Sequence, residues 1–458
     1  MKNLKVGFAQ VDFTPDKLPL VGNFRDDYIS RGTHDPLCSH AIVFANSSQK
    51  IALLSIDLCL LRRDNVALMR NYITSKCDIN PENILISATH THAGSLTFQR
   101  PGYPKVHEKI IDAFLKKAAS AVVQANQNLK DTTLYIGHNQ ENRISFNRRL
   151  KCKDGKIHPN WEVLKPDFII GPTAPIDPQV ITLSVSQNSK LKAALVNFAL
   201  HPAILAGDNW LYSADFPGYL VEAMEKLFGD EFMTAFFNGC CGNINHIDYT
   251  DSIQGRGYMM TQRVGYMLAV AAQQAMQNHT AIHGNEIAVS HEMLTLPRMK
   301  ISKELRQWCE EVLKKAKSNP ASSQVDGLPD ENYALKGLDM YKLQNKDDVV
   351  EVMAMRIGDL GIVGLPGEIF CELGMEIKKS SPAKHTIVIE LANDAILYLP
   401  TCKAFEEGGY GADIGTTKYE KGAGDKLVAS ALNQLNKLFP AAKKQRNTQN
   451  KYSTPEGI

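Results

Sequence analysis

The chain of 458 residues lacks the marks of several protein classes. No apolar run approaches the roughly 20 residues that span a bilayer, so we expect no integral membrane segment. The formal net charge is only +2, which argues against a nucleic-acid groove or a basic membrane-binding patch. A phosphate-binding loop would need GxxxxGK followed by Ser or Thr, and that pattern is absent. Nucleic acids, membranes and P-loop nucleotides are therefore not expected partners.

Cysteine is scarce as well, with nine residues in the chain. The number is odd, and the adjacent Cys240 and Cys241 lack the spacing of a zinc ribbon, so we expect reduced and mostly buried thiols. The first residues, Met1 to Phe8, lead into a polar stretch by Asp12 and contain no apolar signal core. As the sequence stands we expect a cytoplasmic protein, or a periplasmic or secreted one if a leader was removed.

What is present is an ordinary globular composition, with 44% hydrophobic and 22% charged residues. Strand-like apolar segments alternate with helix-like amphipathic ones, which is consistent with an α/β protein. The length allows two or three domains or one large α/β unit. Residues 300–347 break the alternation with a charged helix and polar linkers, and we interpret them as an insertion. The polar tail 443–458 is expected to be disordered.

Two histidines, His90 and His92, follow the apolar run Ile84 to Ile86. That run predicts a buried strand, and in α/β proteins ligands usually bind where strands end. If the backbone stays extended, two side chains that are two residues apart point the same way. Two imidazoles framed by small side chains suit a metal ion and its water. The alternative is that one or both merely hydrogen-bond in the core, and the pair alone leaves both interpretations open.

Other predicted strands also end in polar residues. His201 closes an apolar run, and Pro202 after it ends the strand and leaves the histidine at the rim. Glu368 follows a Pro-Gly turn, and Tyr398 lies in the polar segment after residue 393. The strand-end loops therefore carry these candidate ligands: His90, His92, His201, Glu368 and Tyr398.

Three arginines lie close together at Arg143, Arg148 and Arg149. Such a cluster most often lies on a solvent-exposed surface. The alternative with a functional consequence is contact with an anion or a carbonyl group. Among the remaining polar residues, Asp57 and Asp215 are better explained by turn and cap chemistry than by catalysis. Asn238 and Asn245 in one glycine-rich loop and Tyr410 in another are candidates for binding a substrate.

Five motifs taken together resemble the neutral (alkaline, non-lysosomal) ceramidase family of zinc amidohydrolases. They are Ser87-Ala88-Thr89-His90-Thr91-His92, Asn197-Phe198-Ala199-Leu200-His201-Pro202, Ser213-Ala214-Asp215-Phe216-Pro217-Gly218, Pro366-Gly367-Glu368, and Asn393 through Thr401. Asn142-Arg143 is similar to the family's Asn-Arg-Ser segment. The resemblance implies an α/β fold of two packed, twisted, mixed β-sheets flanked by helices. It also implies one large catalytic domain over residues 1–442.

The resemblance further implies Zn2+ as cofactor, with four ligands: His90, His201, Glu368 and Tyr398. His92 would face the substrate and bond to the developing oxyanion or the leaving nitrogen. Arg143 would hold the scissile carbonyl, and Tyr398, as a loosely held ligand, would also donate a hydrogen bond to the oxyanion. Two imidazoles and a carboxylate leave room on zinc for a water, whose pKa drops toward roughly 7.

The chain also departs from the family. Gly242-Asn243-Ile244-Asn245 stands where ceramidases carry Gly-Asp-Val-Ser, and we expect no counterpart of their C-terminal immunoglobulin-like domain. The leading hypothesis is a zinc-dependent hydrolase that cleaves an amide or ester bond of an N-acyl substrate, either lipid or sugar-like. One alternative is a metal-dependent deacylase or lyase acting on a small soluble carbohydrate derivative. Another is a non-catalytic binding protein that keeps the fold. The oligomeric state is not visible in the sequence.

Overall fold

The computed structural model describes residues 4–21, 28–98, 104–251, 255–315 and 330–440. In these ranges the helices are α1 (Arg63–Thr74), α2 (Glu108–Gln127), α3 (Phe216–Phe228), α4 (Gly257–Gln277), α5 (Lys303–Lys315), α6 (Asp330–Leu343), α7 (Cys371–Ser380), α8 (Cys402–Glu407) and α9 (Ala423–Leu438). The strands are β1 (Lys5–Asp12), β2 (Cys38–Ala45), β3 (Lys50–Ile56), β4 (Ile84–Ala88), β5 (Lys130–Asp131), β6 (Thr133–Gln140), β7 (Phe146–Asn147), β8 (Arg149–Cys152), β9 (Ile157–Pro159), β10 (Ile169–Pro172), β11 (Gln179–Gln187), β12 (Lys190–Phe198), β13 (Met233–Asn238), β14 (Ile244–Asn245), β15 (Thr280–Ala281), β16 (Ile287–Leu296), β17 (Asp348–Ile357), β18 (Leu360–Gly364), β19 (Glu368–Ile369), β20 (His385–Ile389) and β21 (Tyr398–Leu399).

The first large sheet has the strand order β4-β3-β2-β1-β5. Its strands run antiparallel except for β3 and β4, which are parallel with Ser55 opposite Ser87. Strands β2 and β4 are buried along their whole length, as strands covered on both faces should be. Helices α1 and α2 cover one face, because apolar residues recur on one side of α2, at Leu115, Ala118 and Val122.

Two further sheets repeat this arrangement. The order in the second is β13-β12-β11-β6-β15, and in the third it is β16-β17-β18-β20. Each again holds one parallel pair, β12 with β13 and β18 with β20. Helices α3 and α4 pack on the second sheet, while α7 and α9 pack on the third. A central apolar core joins the inner faces of all three sheets, with Leu53, Leu195 and Ile362 among its members.

Each parallel pair is part of a strand–helix–strand unit, since a parallel connection needs a crossover. The units are β3-α1-β4, β12-α3-β13 and β18-α7-β20. The predicted α/β class with mixed sheets and outer helices is confirmed, and the sheets of four or five strands number three in the described residues.

The predicted insertion, residues 300–347, contains α5 and α6, which pack against each other. Its residues 316–329 and the tail 443–458 lie outside the described ranges. Among the helices that the structure describes, none has the length and apolarity needed to cross a membrane.

Candidate metal centre

Three side chains that follow strands of the three large sheets converge on one point. His90 follows β4, His201 follows β12, and Glu368 begins β19 just after β18. The Nε2 atoms of His90 and His201 are 3.0 Å apart. Oε2 of Glu368 lies 3.4 Å from the first and 3.3 Å from the second. All three residues are buried, so this arrangement is shielded from solvent.

The backbone fixes how the two imidazoles are oriented. Nδ1 of His90 lies 2.6 Å from the carbonyl oxygen of Cys59, and Nδ1 of His201 lies 3.1 Å from that of Cys241. Because a carbonyl only accepts, each Nδ1 carries a hydrogen, and each Nε2 presents a lone pair whenever its ring is neutral. Two such lone pairs and a carboxylate oxygen that face one another repel, and a proton or a metal cation between them removes that repulsion. Histidines that bind metals typically donate their other N–H in this way.

Electrostatics at the centre also favours a positive charge. Burial lowers the pKa of His201 to about 3, helped by the charges of Arg148 and His90, so its imidazole is neutral and able to bind a metal. Burial opposes ionisation of Glu368, but His90 and His201 outweigh it and hold the carboxyl pKa well below its usual range. Burial likewise opposes charge on His90, whereas Cys59 and Glu368 together raise its pKa.

These three residues fit zinc. Their donor atoms lie within 4.8 Å of one another, and two imidazole nitrogens with one carboxylate oxygen form a common zinc ligand set. Oε2 of Glu368 is buried and has no hydrogen-bond donor among the described residues. Cys59, His90 and His92 form a second possible group. However, Sγ of Cys59 lies 3.8 Å from Nδ1 of His90, the nitrogen already engaged with a carbonyl, so the first group fits better.

Tyr398 lies beside the cluster because of strand pairing. Strands β19 and β21 are parallel, with Glu368 directly opposite Tyr398. The phenol is buried, and its ring forms part of the cavity wall beside the cluster. Burial, with the negative charge of Glu368, raises the pKa of Tyr398 well above its usual value, so the phenol keeps its proton. The structure thus brings together all four residues expected as ligands.

His92 reaches the same centre by a different backbone path from the one expected. The backbone does not stay extended, since His90 has a positive φ of 77°. The His92 ring therefore packs edge-on to the other two, with centroids 5.0 Å from His90 and 5.7 Å from His201. The backbone N–H of His92 donates to the carbonyl of Pro202, which ties the two histidine loops together.

Arg143 is not brought to the centre, which corrects the placement expected from the resemblance. Its side chain is 66% exposed and forms an ion pair with Glu141, two residues earlier. The arginine that turns inward is Arg148, whose backbone N–H donates to Asn243 and whose guanidinium donates to the carbonyl of Gly242. The sequence alone does not indicate which of the two arginines lies at the centre, because this depends on which one forms the ion pair with Glu141.

A cavity of about 100 Å³ opens beside the cluster. Its walls include His92, Arg148, Trp161, Asn245, Tyr398 and Tyr410. Of the residues expected to bind substrate, Asn245 and Tyr410 therefore line it. Asn238 does not: it is fully buried, and its amide bridges the carbonyl of Thr89 and the N–H of Leu200. That placement corrects the prediction, because Asn238 ends a central strand and its amide is used to hold neighbouring loops.

The Tyr410 loop is held in place by Arg149. The guanidinium of Arg149 donates to the carbonyls of Tyr410 (2.9 Å) and Gly408 (2.8 Å) and lies 3.6 Å from the carboxylate of Glu407. Arg149 is only 2% exposed. A buried cation thus positions the tyrosine that forms one wall of the cavity.

Glu390 is a buried carboxylate that sequence reasoning missed. Its Oε2 accepts from the N–H groups of Ile369 (2.8 Å) and Cys241 (3.1 Å), and its Oε1 accepts from the Cys241 thiol (2.8 Å). Burial raises its pKa to about 8. It directly follows strand β20, so the same pattern that singled out Glu368, a carboxylate closing an apolar run, could have found it.

Comparison with known proteins identifies the family of this chain. Residues 4–256 match the family model for neutral/alkaline non-lysosomal ceramidase, N-terminal. The chain belongs to this family. A neutral ceramidase of Pseudomonas aeruginosa is 27% identical over 171 residues, which are 36% of this chain and 24% of that protein. A neutral ceramidase of Mycobacterium tuberculosis is 24% identical over 243 residues, 49% of this chain and 36% of that protein. The matches thus span about a quarter and a third of these curated relatives.

The solved structures agree on the fold. The crystal structure of neutral ceramidase from Pseudomonas aeruginosa superposes with a TM-score of 0.74, covering 96% of this chain and 75% of that one. A ceramidase structure described as complexed with C2 gives the same values. Because the sequence identity is 18% in both cases, the likeness establishes the architecture and leaves the reaction to be argued from the site.

Proposed function

We propose that this protein is a zinc-dependent hydrolase that cleaves the amide bond of an N-acyl substrate. The observation that carries the proposal is the convergence of His90, His201 and Glu368, with both Nδ1 atoms committed to backbone carbonyls. Membership of the ceramidase family supports amide hydrolysis, since the curated relatives are named neutral ceramidases.

His90, His201 and Glu368 would hold the metal, with Tyr398 as a fourth, more loosely held ligand. Zinc, when bound, supplies a Lewis acid that polarises a carbonyl and lowers the pKa of a water molecule toward roughly 7. The Nδ1–H bonds to the carbonyls of Cys59 and Cys241 orient both rings so that each Nε2 atom would face the metal.

The protein's own residues supply the remaining steps. His92 lines the cavity and is placed to hold a proton and deliver it to the leaving nitrogen. Tyr398 keeps its proton at neutral pH and can donate to the oxyanion as it develops. Asn245 and Tyr410 border the cavity and would orient the acyl group. Arg148 is the inward arginine and takes the place at the substrate that the resemblance gave to Arg143.

The metal content of protein purified without chelator tests the proposal. We expect about one zinc per chain in the wild type and its loss in His90→Ala and Glu368→Ala. His138→Ala is the matched control, because this exposed histidine hydrogen-bonds to Gln179 and His385, away from the centre. A wild-type protein without metal, or mutants that keep it, would refute the metal site. Hydrolysis of N-acyl sphingoid bases and of N-acetyl sugars then tests the reaction.

A second candidate function is deacylation of a small, soluble, sugar-like substrate. The specific observation in its favour is the small volume of the cavity, about 100 Å³. Pockets for drug-sized ligands are typically about 300–1,000 Å³. A long acyl chain would have to extend outside the enclosed space, whereas an acetyl group would fit within it.

A further inference from the structure

A second cavity, of about 270 Å³, lies between strands β1 and β2 and helix α3. It shares no lining residue with the cavity beside the metal centre. Cys38 and His40 of β2 and Asp57, directly after β3, are its buried residues, and Tyr219 and Glu225 of α3 line the opposite wall. The proposed hydrolysis uses none of these side chains, so the cavity calls for a separate explanation.

The imidazole of His40 has a polar atom without a partner. His40 is 3% exposed, and its Nε2 has no hydrogen-bond partner among the described residues. Burial lowers the pKa of His40 to about 4, so the ring is neutral at ordinary pH. Buried polar atoms nearly always have a partner, and leaving one without a partner costs about 1–3 kcal/mol. Because His40 lines the cavity, that partner would come from the molecule that occupies it.

The ionisable groups around this cavity are mainly acidic. No lysine or arginine is among its described lining residues, whereas four carboxylic acids are: Asp35, Asp57, Glu222 and Glu225. Two of the four already have a partner, since Glu222 pairs with Lys226 and Asp35 with His34. No basic side chain that the structure describes lies within ion-pairing distance of Glu225. Burial, with the charges of Asp230 and Glu222, raises the pKa of Glu225.

Asp57 is the buried carboxyl of the set. Its Oδ2 accepts from the backbone N–H of Cys38 at 2.9 Å, and His40 lies two residues further along β2 on the same face. Burial, together with the charge of Asp35, outweighs that hydrogen bond and raises the pKa of Asp57 to about 8. A cation that enters the cavity would offset the cost of a buried negative charge at this position.

We infer that this cavity binds a primary alkylammonium ion whose N–H groups donate to Asp57 and His40. An ammonium group has three donors and no acceptor, which matches a carboxylate beside an imidazole nitrogen that lacks a partner. On binding, the proton that burial keeps on Asp57 would pass to solvent. Tyr219 and Val221 offer an apolar wall to the alkyl stem. A metal ion fits less well, because Cys38, His40 and Asp57 are not among the described groups whose ligand atoms all lie within 4.8 Å of one another.

Titration with a matched pair of probes tests the inference. n-Butylammonium and butan-1-ol have the same carbon chain and differ in the charge of the head group. Isothermal titration at pH 8 should give an affinity for n-butylammonium at least about 10-fold higher than for butan-1-ol. The preference should fall several-fold in Asp57→Asn, in His40→Leu and in Glu225→Gln. Glu231→Gln is the matched control and should keep it, because Glu231 is an exposed carboxylate outside the cavity.

Equal affinity of the wild type for the two probes would overturn the inference. So would a full preference in both Asp57→Asn and Glu225→Gln, because the cation would then bind elsewhere. If Asp57→Asn does not fold, Glu225→Gln, whose side chain is only partly buried, decides the question.

An amine could instead bind at the metal centre, so the titration is repeated after the metal has been removed with EDTA. Unchanged binding supports the second cavity, and binding that disappears with the metal would overturn it. The two cavities share no lining residue, so absence of zinc would remove the proposed hydrolysis and leave this result as it is.

Discussion

Replacing Glu390 should weaken metal binding even though Glu390 does not contact the metal position. Its Oε2 accepts from the N–H of Ile369, the residue after Glu368, and from the N–H of Cys241, whose carbonyl holds Nδ1 of His201. One carboxylate thus fixes the backbone beside two of the three main ligands. Glu390 is fully buried, so water cannot take its place in the wild-type packing.

The size of the effect follows from the bonds that are lost. Glu390→Ala leaves two buried N–H groups without acceptors, at about 1–3 kcal/mol each, so the free energy of unfolding should fall by roughly 2–6 kcal/mol. Loss of residues that orient metal ligands typically lowers metal affinity by about 10- to 100-fold. Glu390→Gln keeps one carbonyl oxygen with two lone pairs and should lose less of both.

Competition with a chromophoric zinc chelator measures the affinity, and urea unfolding measures the stability. Glu351→Gln is the matched control, because Glu351 is also largely buried but pairs with Arg70 away from the centre. It should lose stability without losing zinc affinity. If Glu390→Ala folds and binds zinc as tightly as the wild type, the idea that Glu390 positions the ligands is refuted.

Three more outcomes follow from the structure. Tyr398→Phe should cut turnover more than zinc content, and an unchanged rate would exclude the phenol from the reaction. Arg149→Met should lower kcat/KM several-fold with zinc content unchanged, because the carbonyl of Tyr410 loses its donor; unchanged kinetics would contradict this. Burial raises the pKa of Asp57 to about 8 from 3.8. The folded state therefore keeps a proton that the unfolded state releases, and stability should fall by up to about 1.4 kcal/mol per unit as pH rises from 4 to 8. Urea unfolding at pH 5 and pH 8 should show a smaller decrease for Asp57→Asn, and equal decreases would refute the shift.

The residues at strand ends could be predicted from the sequence because one local pattern marks them. His90, His201 and Glu368 each follow an apolar run that becomes a buried strand in the structure. The roles given to them came from the resemblance, since no local rule assigns ligands to a metal. The membership of the family is confirmed by the match over residues 4–256.

What could not be predicted depends on contacts between distant segments. The sequence around Arg143 and Arg148 does not show which of the two is buried. In the structure Arg143 pairs with Glu141 at the surface, whereas Arg148 turns inward and donates to the carbonyl of Gly242. The prediction of an extended backbone between His90 and His92 was wrong for a similar reason. The N–H of His90 bonds to the carbonyl of Leu58 and its ring to that of Cys59, which requires the positive φ.

The centre is best understood as the meeting point of three strand–helix–strand units. Ligands in α/β proteins gather at the carboxyl ends of parallel strands, and β4, β12 and β18 each present such an end. Each unit contributes one of the three main proposed ligands, so none of the three sheets could build the site alone. The long separations in sequence between residues 90, 201 and 368 are therefore a consequence of the architecture. For the same reason, we expect side chains such as Glu390, which bonds to the loops beside two of the proposed ligands, to affect metal binding without contacting the metal.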